Sequence, residues 1–591
     1  MRRVKIVCTL GPASADRATI RRLADAGMSV ARLNASHGTV EERAELLEHV
    51  RAVDGRIDKP LATLLDLEGP EVRTAEAGEA VELGAGDSVR FVEGATLTRA
   101  TVGLTNSIAA VSPGDTVLLD DGRIETTVER VEGDTVVARV ESGGSLGSRA
   151  GVTTRGVDLG LELVGDADER NLEFAAEAGV DLVAASFVRD AADVYRIADE
   201  LDRFGAPTTP VIAKIERAAA VENAAGIVDA ADGVMVARGD LGVECPLEDV
   251  PIVQKRLIGR CVEAGVPVIT ATEMLDSMVH ARRPTRAEAS DVANAVFDGT
   301  DAVMLSAETA VGDYPVEAVG TMAAIVDRIE GSDEYAETRD RRVPAADPGV
   351  STDAVARSAR YLAADIDAAA IVAVSESGYT ARKAAKFRPA VPVVAATPND
   401  DVRRQLAVSW GIDARYAGYV DGIDDIIETA VESAVSAGVA GSGDTIVVLA
   451  GMMSELPGTD SANTLKVHVV AETVARGRAV VSGRVAAPIA RAGDGDLGSV
   501  PRGSIVALPA SFDGTFEGDT ARIAGIVAAA ADLTGYPAIV ARELGVPMVS
   551  GAALPETLAD GHVVTLDGER GVVYEGDVTG QGGDTGRHRG V

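Results

Sequence analysis

Cysteine, lysine and aromatic residues are all scarce in this chain, and each scarcity removes a class of function. The 591 residues hold three cysteines, Cys8, Cys245 and Cys261, none of them in a C-x-x-C pair. Neither a disulfide framework nor a thiolate zinc site is expected from such a set, and no H-E-x-x-H run offers another zinc site. Lysine occurs seven times against forty-nine arginines, and acids outnumber bases 92 to 56, for a formal net charge of −36. A nucleic-acid partner requires a basic footprint, so that class is excluded. No lysine follows a glycine, which rules out the G-x-x-x-x-G-K-[ST] phosphate loop. No apolar run approaches the roughly 20 residues that span a bilayer, and the start MRRVKIVCTLGPAS lacks the apolar stretch of a signal peptide. A soluble cytoplasmic protein with no membrane partner is expected. Aromatics make up only 3% of the residues, so the core is built from small aliphatic side chains. The acids are spread along the chain instead of forming a tail. This reads as a surface suited to concentrated salt, where the screening length falls to about 3 Å near 1 M, and a halophile's cytosolic protein is expected.

What is present is a repeat of strand and helix. Eight short apolar runs, each followed by an Ala-rich helical pattern, fall at 4–10, 30–34, 61–67, 181–188, 210–216, 233–239, 266–272 and 301–307. Runs apolar throughout, without alternation, suit parallel strands buried on both faces. Eight such units close into a (β/α)8 TIM barrel, whose functional groups collect at the C-terminal ends of the strands. The barrel is expected over 1–71 and 150–333. Residues 72–149 carry Gly-Asp turns and alternating Val and Thr without a helical stretch, and read as an inserted all-β lid domain. A charged linker, DEYAETRDRRVPAADPG, follows residue 333. A C-terminal α/β domain is expected over 345–473, with strands near AAIVAVS, VPVVAAT, ARYAGYV, DTIVVLAG and TLKVHVV, then a swivel-like unit over 475–577 and a disordered tail over 578–591.

The polar ends of the eight runs carry the chemistry. In a strand, residues i and i+2 share a side, so Lys214 and Glu216 project together, and Asp240 at the end of the next strand can meet Glu216. Two carboxylates with room for substrate oxygens and water suit Mg2+. A lysine beside them suits an anion in transit, such as a phosphoryl group or an enolate. Gly239, with no side chain, permits close approach of a ligand to the backbone. The structural alternative is a buried Lys–Glu pair that merely joins two strands, which gives little net stability for its desolvation cost. The second run ends in Arg32, Asn34, Ser36 and His37, where a guanidinium can hold phosphate oxygens and the Asn and Ser oxygens can ligate a monovalent cation. The third supplies Asp66, Glu71 and Arg73, the seventh Thr272, and the eighth Ser306 and Glu308. Hydroxyls gathered on one rim make a proton path.

These runs, IVCTLGPAS, GMSVARLNASHG, LDLEGPEVRT, LLDDGRI, VIAKIE, MVARGDLGVE, TATEMLDSM, RRPTRAEASDVANAVFDGTDAVMLSAETAVGDYP and SGYTARKAAKFRP, together resemble the pyruvate kinase family from residue 4 to about 470. The resemblance implies phosphoryl transfer from phosphoenolpyruvate to ADP, with Mg2+ and K+ as cofactors and a homotetramer as the assembly. It implies Mg2+ on Glu216 and Asp240, and catalytic roles for Lys214, Arg32, Thr272 and Ser306. Substrate binding would involve Arg32, Lys214, Ala237, Arg238, Gly239, Asp240 and Thr272. Nucleotide contacts would come from Arg73, His37 and Asn34, and K+ ligands from Asn34, Ser36, Asp66 and the carbonyl of Leu67. Glu71 stands where, in this family, glutamate goes with a K+ requirement and lysine with independence. The run SESGYT resembles an effector-phosphate loop, with Ser375, Ser377, Gly378 and Thr380 as its candidates, although Glu376 inside it would repel phosphate and an N-capped helix is the alternative. Residues 475–577 resemble the mobile phosphohistidine domain of phosphoenolpyruvate-utilising enzymes. The family's T-S-H-A-A-type run is here Thr534, Gly535, Tyr536, Pro537, Ala538, so no phosphoryl carrier is expected. The alternatives from other classes are a Mg2+-dependent aldolase or mutase acting on pyruvate-like substrates, and a regulatory pseudoenzyme.

Overall fold

The eight apolar runs form one closed sheet. In the computed structural model, which describes residues 2–76, 79–419, 423–451 and 462–579, the strands are β1 Lys5–Thr9, β2 Val30–Asn34, β3 Ala62–Asp66, β4 Leu182–Ala185, β5 Val211–Ile215, β6 Gly233–Ala237, β7 Val268–Ala271 and β8 Ala302–Leu305. Each is parallel to its two neighbours in sequence, and β1 closes the ring against β8. The side chains of β1, β3, β5 and β6 are buried at every position, which is why these runs lack alternation. Val7, Leu64, Ile212, Met235 and Ile269 fill the barrel interior, while Ile6, Leu33, Leu65, Val183 and Leu305 pack outward against helices such as Arg286–Asp298 and Pro315–Glu330.

Several elements differ from the expected boundaries. The lid is a seven-stranded sheet, Val72–Arg73, Gly151–Thr154, Thr116–Leu119, Ile124–Glu132, Thr135–Ser142, Ser88–Glu93 and Thr101–Leu104 in that order, with a small pair Val81–Leu83 and Gly144–Leu146 beside it. Its strand Gly151–Thr154 runs past the expected limit at 149, because Val152 pairs both with Val72 at the lid's entry and with Leu119. The charged stretch after 333, expected as a linker, is helical over Asp333–Arg341. Ser332 Oγ accepts the Tyr335 N–H at 3.2 Å, acids occupy the first turn and Arg339 and Arg341 the last, so capping and the helix dipole agree. Tyr335 is buried, its hydroxyl accepting from Trp410 Nε1 at 3.2 Å.

The chain forms two compact units, one of residues 1–361, 372–429 and 449–464, the other of 362–371, 430–448 and 465–591. The five-stranded sheet of the C-terminal α/β region has the order Ile412–Tyr416, Val393–Thr397, Ala370–Val374, Thr445–Ala450, Thr464–Val469. Its Ile412–Tyr416 strand starts two residues before the expected ARYAGYV run; it lies at the sheet edge, where Asp413 and Arg415 interrupt the apolar pattern yet pair with each other at 2.9 Å. The second unit carries an eight-stranded sheet that begins at Thr473–Arg476, inside the segment assigned to the preceding domain, and ends at Val572–Glu575. Val578, expected in a disordered tail, is buried and donates its N–H to Thr565 Oγ1 at 2.8 Å; residues 580–591 of that tail lie outside the described residues. In the same sheet's loops, the Asp532 carboxylate accepts the N–H groups of Thr534 and Gly535, both at 2.9 Å, at the start of helix Tyr536–Leu544. The Tyr536 ring packs 5.7 Å from Phe516.

Lys5 opens β1 as a buried ammonium donating to the Ile412 carbonyl at 2.6 Å. Burial lowers its pKa from 10.5 to about 8, with Asp413 opposing and Lys59 and Arg2 adding to the fall. Below pH 8 folded and unfolded chains both carry this proton. Between pH 8 and 10.5 only the unfolded chain binds it, so the Lys5 contribution to stability rises with pH, by about 3 kcal/mol over the window. Lys5→Met is expected to lose that rise. Denaturant unfolding of both proteins at pH 7.5 and 10.5 tests it, and identical pH dependence would refute the assignment.

Candidate active site

Lys214, in β5, points to the C-terminal rim of the barrel and is held by three acceptors. Its Nζ lies 2.8 Å from Glu216 Oε1, 3.1 Å from Asp66 Oδ1 and 2.7 Å from Ser186 Oγ. Burial pulls the ammonium's pKa down, but Asp66 and then Glu216 outweigh it and hold it above the ordinary value. Asp66 ends β3, 1% exposed, and is shared: its Oδ2 takes Arg32 Nε at 2.6 Å. Burial raises its pKa, and Arg32 and Lys214 together bring it below the ordinary value. Arg32, from β2, also donates to Thr9 Oγ1 at 2.9 Å. One carboxylate therefore orients two cations from two different strands.

The carboxylates outnumber what these cations satisfy. Asp240 lies in the first turn of helix Arg238–Glu244, directly after Ala237 ends β6. Burial, then the charge of Glu216, push its carboxyl up to about 7, with Glu71 and Asp121 adding repulsion and Lys214 opposing. Glu216 Oε2 accepts the Phe187 N–H at 2.7 Å. Among the described residues no group of three or more His, Cys, Asp or Glu forms a metal cage. Two mutually repelling carboxylates, partly desolvated, are instead the donor chemistry of a hard divalent cation that takes its remaining oxygens from substrate and water. Glu216 and Asp240 fit that ion.

The proposed monovalent-cation ligands are neighbours. Asn34 faces Asp66 across β2 and β3, the Ser36 N–H donates to Asn34 Oδ1 at 3.3 Å, and the Leu67 carbonyl accepts from Ser186 Oγ at 2.7 Å. Asp66, however, has both oxygens engaged by Arg32 and Lys214. Its first task is to place those cations, a role the sequence did not reveal.

The end of β7 is strained. Thr272 and Glu273 both adopt left-handed backbone, φ +65° and +53°, a rare conformation for a β-branched residue. Thr272 Oγ1 accepts the Gly239 N–H at 2.7 Å and donates to the Ala271 carbonyl at 2.7 Å. The Gly239 amide, expected to face a ligand, is thus spent on Thr272. The Arg238 side chain, expected to bind substrate, instead donates to the Ala271 and Thr272 carbonyls at 3.1 and 2.7 Å. At the end of β8, Ser306 stands at the N-cap position of the short helix Ala307–Ala310 without a side-chain cap bond, and buried Glu308 accepts the N–H groups of Ser306 at 2.7 Å and Leu275 at 3.1 Å, joining the β7 and β8 loops.

Farther out, Arg73 Nη2 meets Glu71 Oε2 at 2.6 Å and its Nη1 donates to the Arg149 carbonyl at 3.1 Å. His37 is exposed at the β2 loop, and partial burial, then the charges of Arg73 and Arg32, lower its pKa, with Glu68 opposing. In the SESGYT run, Gly378 (φ +74°) starts helix Tyr379–Lys386, Ser377 Oγ accepts the Tyr379 N–H at 3.3 Å, Thr380 is buried, and Ser375 Oγ is buried without a hydrogen-bond partner. Sequence reasoning missed Ser186 and Asp121. Ser186 stands at the polar end of the fourth run, where the rule used for the other strands applied equally; Asp121 reaches Asp240 only through the folding of the lid.

Three family descriptions match this chain: pyruvate kinase, barrel domain, over residues 1–319; pyruvate kinase, alpha/beta domain, over 353–468; and PEP-utilising enzyme, mobile domain, over 500–571. A pyruvate kinase of Bacillus licheniformis is 41% identical over 589 residues, covering 98% of this chain and 99% of the relative. One from Geobacillus stearothermophilus is 42% identical over 588 residues, covering 97% and 99%, and one from Staphylococcus aureus is 39% identical over 585 residues, covering 98% and 99%.

The shared carboxylate makes a stability prediction. Asp66→Asn leaves two buried cations short of their counter-charge and is expected to cost about 3 kcal/mol in denaturant unfolding. With Lys214→Met added, part of that loss returns, a coupling of about 2 kcal/mol. Strict additivity of the two substitutions would show that the residues do not form one network.

Proposed function

Because this chain belongs to the pyruvate kinase family, and so transfers the phosphoryl group of phosphoenolpyruvate to ADP to give pyruvate and ATP, we propose that the Lys214–Glu216–Asp240 rim is where it does so. The observation that carries the reading is one ammonium and two carboxylates from consecutive β/α units converging beside Arg32. Phosphoryl transfer needs positioning and charge neutralisation more than covalent help. Lys214 and Arg32 would bind the phosphoryl oxygens in flight, and Asp66 would keep both cations aimed. Thr272 would deliver a proton to the enolate carbon, with Ser306 in the relay. Arg73 and His37, with Asn34 near them, would meet the nucleotide phosphates; Ala237, Gly239 and Asp240 would line the substrate.

Glu216 and Asp240 would hold Mg2+, which when bound supplies positive charge to the transferring group. Asn34, Ser36, Asp66 and the Leu67 carbonyl would lie about a K+ ion, and Glu71 supports that requirement by adding negative charge where a lysine would supply its own cation. An aldolase or mutase would have no use for ADP, and no observation favours one.

We further propose a homotetramer in the cytoplasm of a halophile. The net charge of −36 supports the salt adaptation, and among the described residues no helix is long and apolar enough to cross a membrane. The loop at Ser375, Ser377, Gly378 and Thr380 is proposed as an anionic effector site. The final module, without its histidine, is proposed as structural or regulatory.

Pyruvate release from phosphoenolpyruvate and ADP tests the assignment. Lys214→Met is expected to lower kcat by about 10²-fold or more, and an unaffected variant would end the role given to that ammonium. Replacing KCl by NaCl should lower the rate by about tenfold or more in the wild type, and Glu71→Lys should remove most of the difference. Equal wild-type rates in the two salts would overturn the K+ reading.

A further inference from the structure

All five N–H groups of the Arg238 guanidinium end on the chain itself. Nε donates to the Ala271 carbonyl at 3.1 Å; Nη2 donates to the Thr272 carbonyl at 2.7 Å and to Met274 Sδ at 2.8 Å. Nη1 donates to Asp291 Oδ2 at 2.6 Å and to Gln254 Oε1 at 3.4 Å. The inner edge of this planar fork grips the strained turn at the end of β7, and its outer edge is gripped by groups on the helices behind it. Left-handed backbone at Thr272 and Glu273 persists only where the surroundings impose it, and Arg238 binds the Ala271 and Thr272 carbonyls from outside the turn.

The helix that carries Asp291, Arg286–Asp298, is itself fixed to the same loop. Thr285 and Glu288 form its capping box. Glu288 also takes the N–H and the hydroxyl of Ser277, each at 2.6 Å. Asp291 is therefore delivered from an element already registered to the turn it controls.

We infer that Asp291 is a positioning residue for the proton step. It anchors Arg238, and Arg238 holds Thr272 so that its hydroxyl stands at the rim; Asp291 itself needs no contact with substrate. This rests on the role proposed above for Thr272. In that step the C2–C3 π pair of enolpyruvate takes the proton to form the new C–H bond, the C2–O bond becomes a carbonyl, and the threonine oxygen regains its proton through the relay from solvent. Without Asp291 the guanidinium keeps its charge but loses the shorter of its two outer contacts, leaving Gln254 at 3.4 Å, so the turn is held less firmly against relaxing toward ordinary backbone. Misplacement on the scale of an ångström is enough for a large rate loss.

The test uses the full-length enzyme and separates this step from phosphoryl transfer. Exchange of the pyruvate methyl hydrogens for deuterium, followed by NMR in D2O with Mg2+, K+ and inorganic phosphate present, runs the proton step alone. Asp291→Asn is expected to lower both the exchange rate and kcat about tenfold or more, with KM for phosphoenolpyruvate within about twofold and the melting temperature unchanged. Asp291→Glu, which restores the charge on a longer arm, is expected to recover part of the exchange. Gln254→Leu, which removes the weaker outer contact, is expected to lower it less than Asp291→Asn. If Asp291→Asn exchanges at the wild-type rate while Thr272→Ala does not, the inference fails and the Thr272 role stands. If Thr272→Ala itself exchanges normally, the reading of Thr272 fails and the inference with it. A fall in melting temperature with kcat and KM changed in step would show Asp291 to be merely structural and would also overturn it.

Discussion

The carboxylate of Asp66 lies between Arg32 and Lys214, and the site is organised around that contact. Two cations brought into a buried pocket repel one another and each loses hydration. A single anion between them offsets both costs and fixes their spacing. Lys214 is then available to its other neighbours, Glu216 and Ser186, without leaving its place. Removing the anion would therefore disturb two strands at once, because β2 and β5 are not adjacent and meet here through β3 and β4.

A second theme is the excess of negative charge beyond what Arg32 and Lys214 balance. Asp240 carries it as a carboxyl displaced toward neutrality, and Glu71 and Asp121 deepen it from the lid side. On the proposed reading, a divalent ion and a substrate would supply the complementary charge. The β7 turn shows the same division of labour in the backbone. Its strain is confined to Thr272 and Glu273, and neighbouring elements, through Arg238, Gly239 and Glu308, hold it in place.

All eight barrel strands were legible because parallel strands buried on both faces produce uninterrupted apolar runs, and a β/α alternation repeated eight times leaves few other folds. The pairing of Lys214 with Glu216 was legible from strand periodicity. Ser186 obeys the same rule, but its importance comes from partners on other strands, Lys214 and the Leu67 carbonyl. The internal use of the Arg238 side chain was invisible, since its five partners come from three segments distant in sequence. The helix at Asp333–Arg341 was hidden by its charge: its one buried anchor, Tyr335, is fixed by Trp410, far along the chain. Domain limits slipped by a few residues where a strand such as Gly151–Thr154 completes a sheet begun much earlier.

In the final module the amides of Thr534 and Gly535 are already satisfied by Asp532, and Tyr536 is packed against Phe516. A histidine placed at Tyr536 would find a resident anion where an incoming phosphate needs open donors, and would leave a gap beside the phenyl ring. Carrier chemistry at this loop would need at least two changes together, the imidazole and the removal of the competing acid.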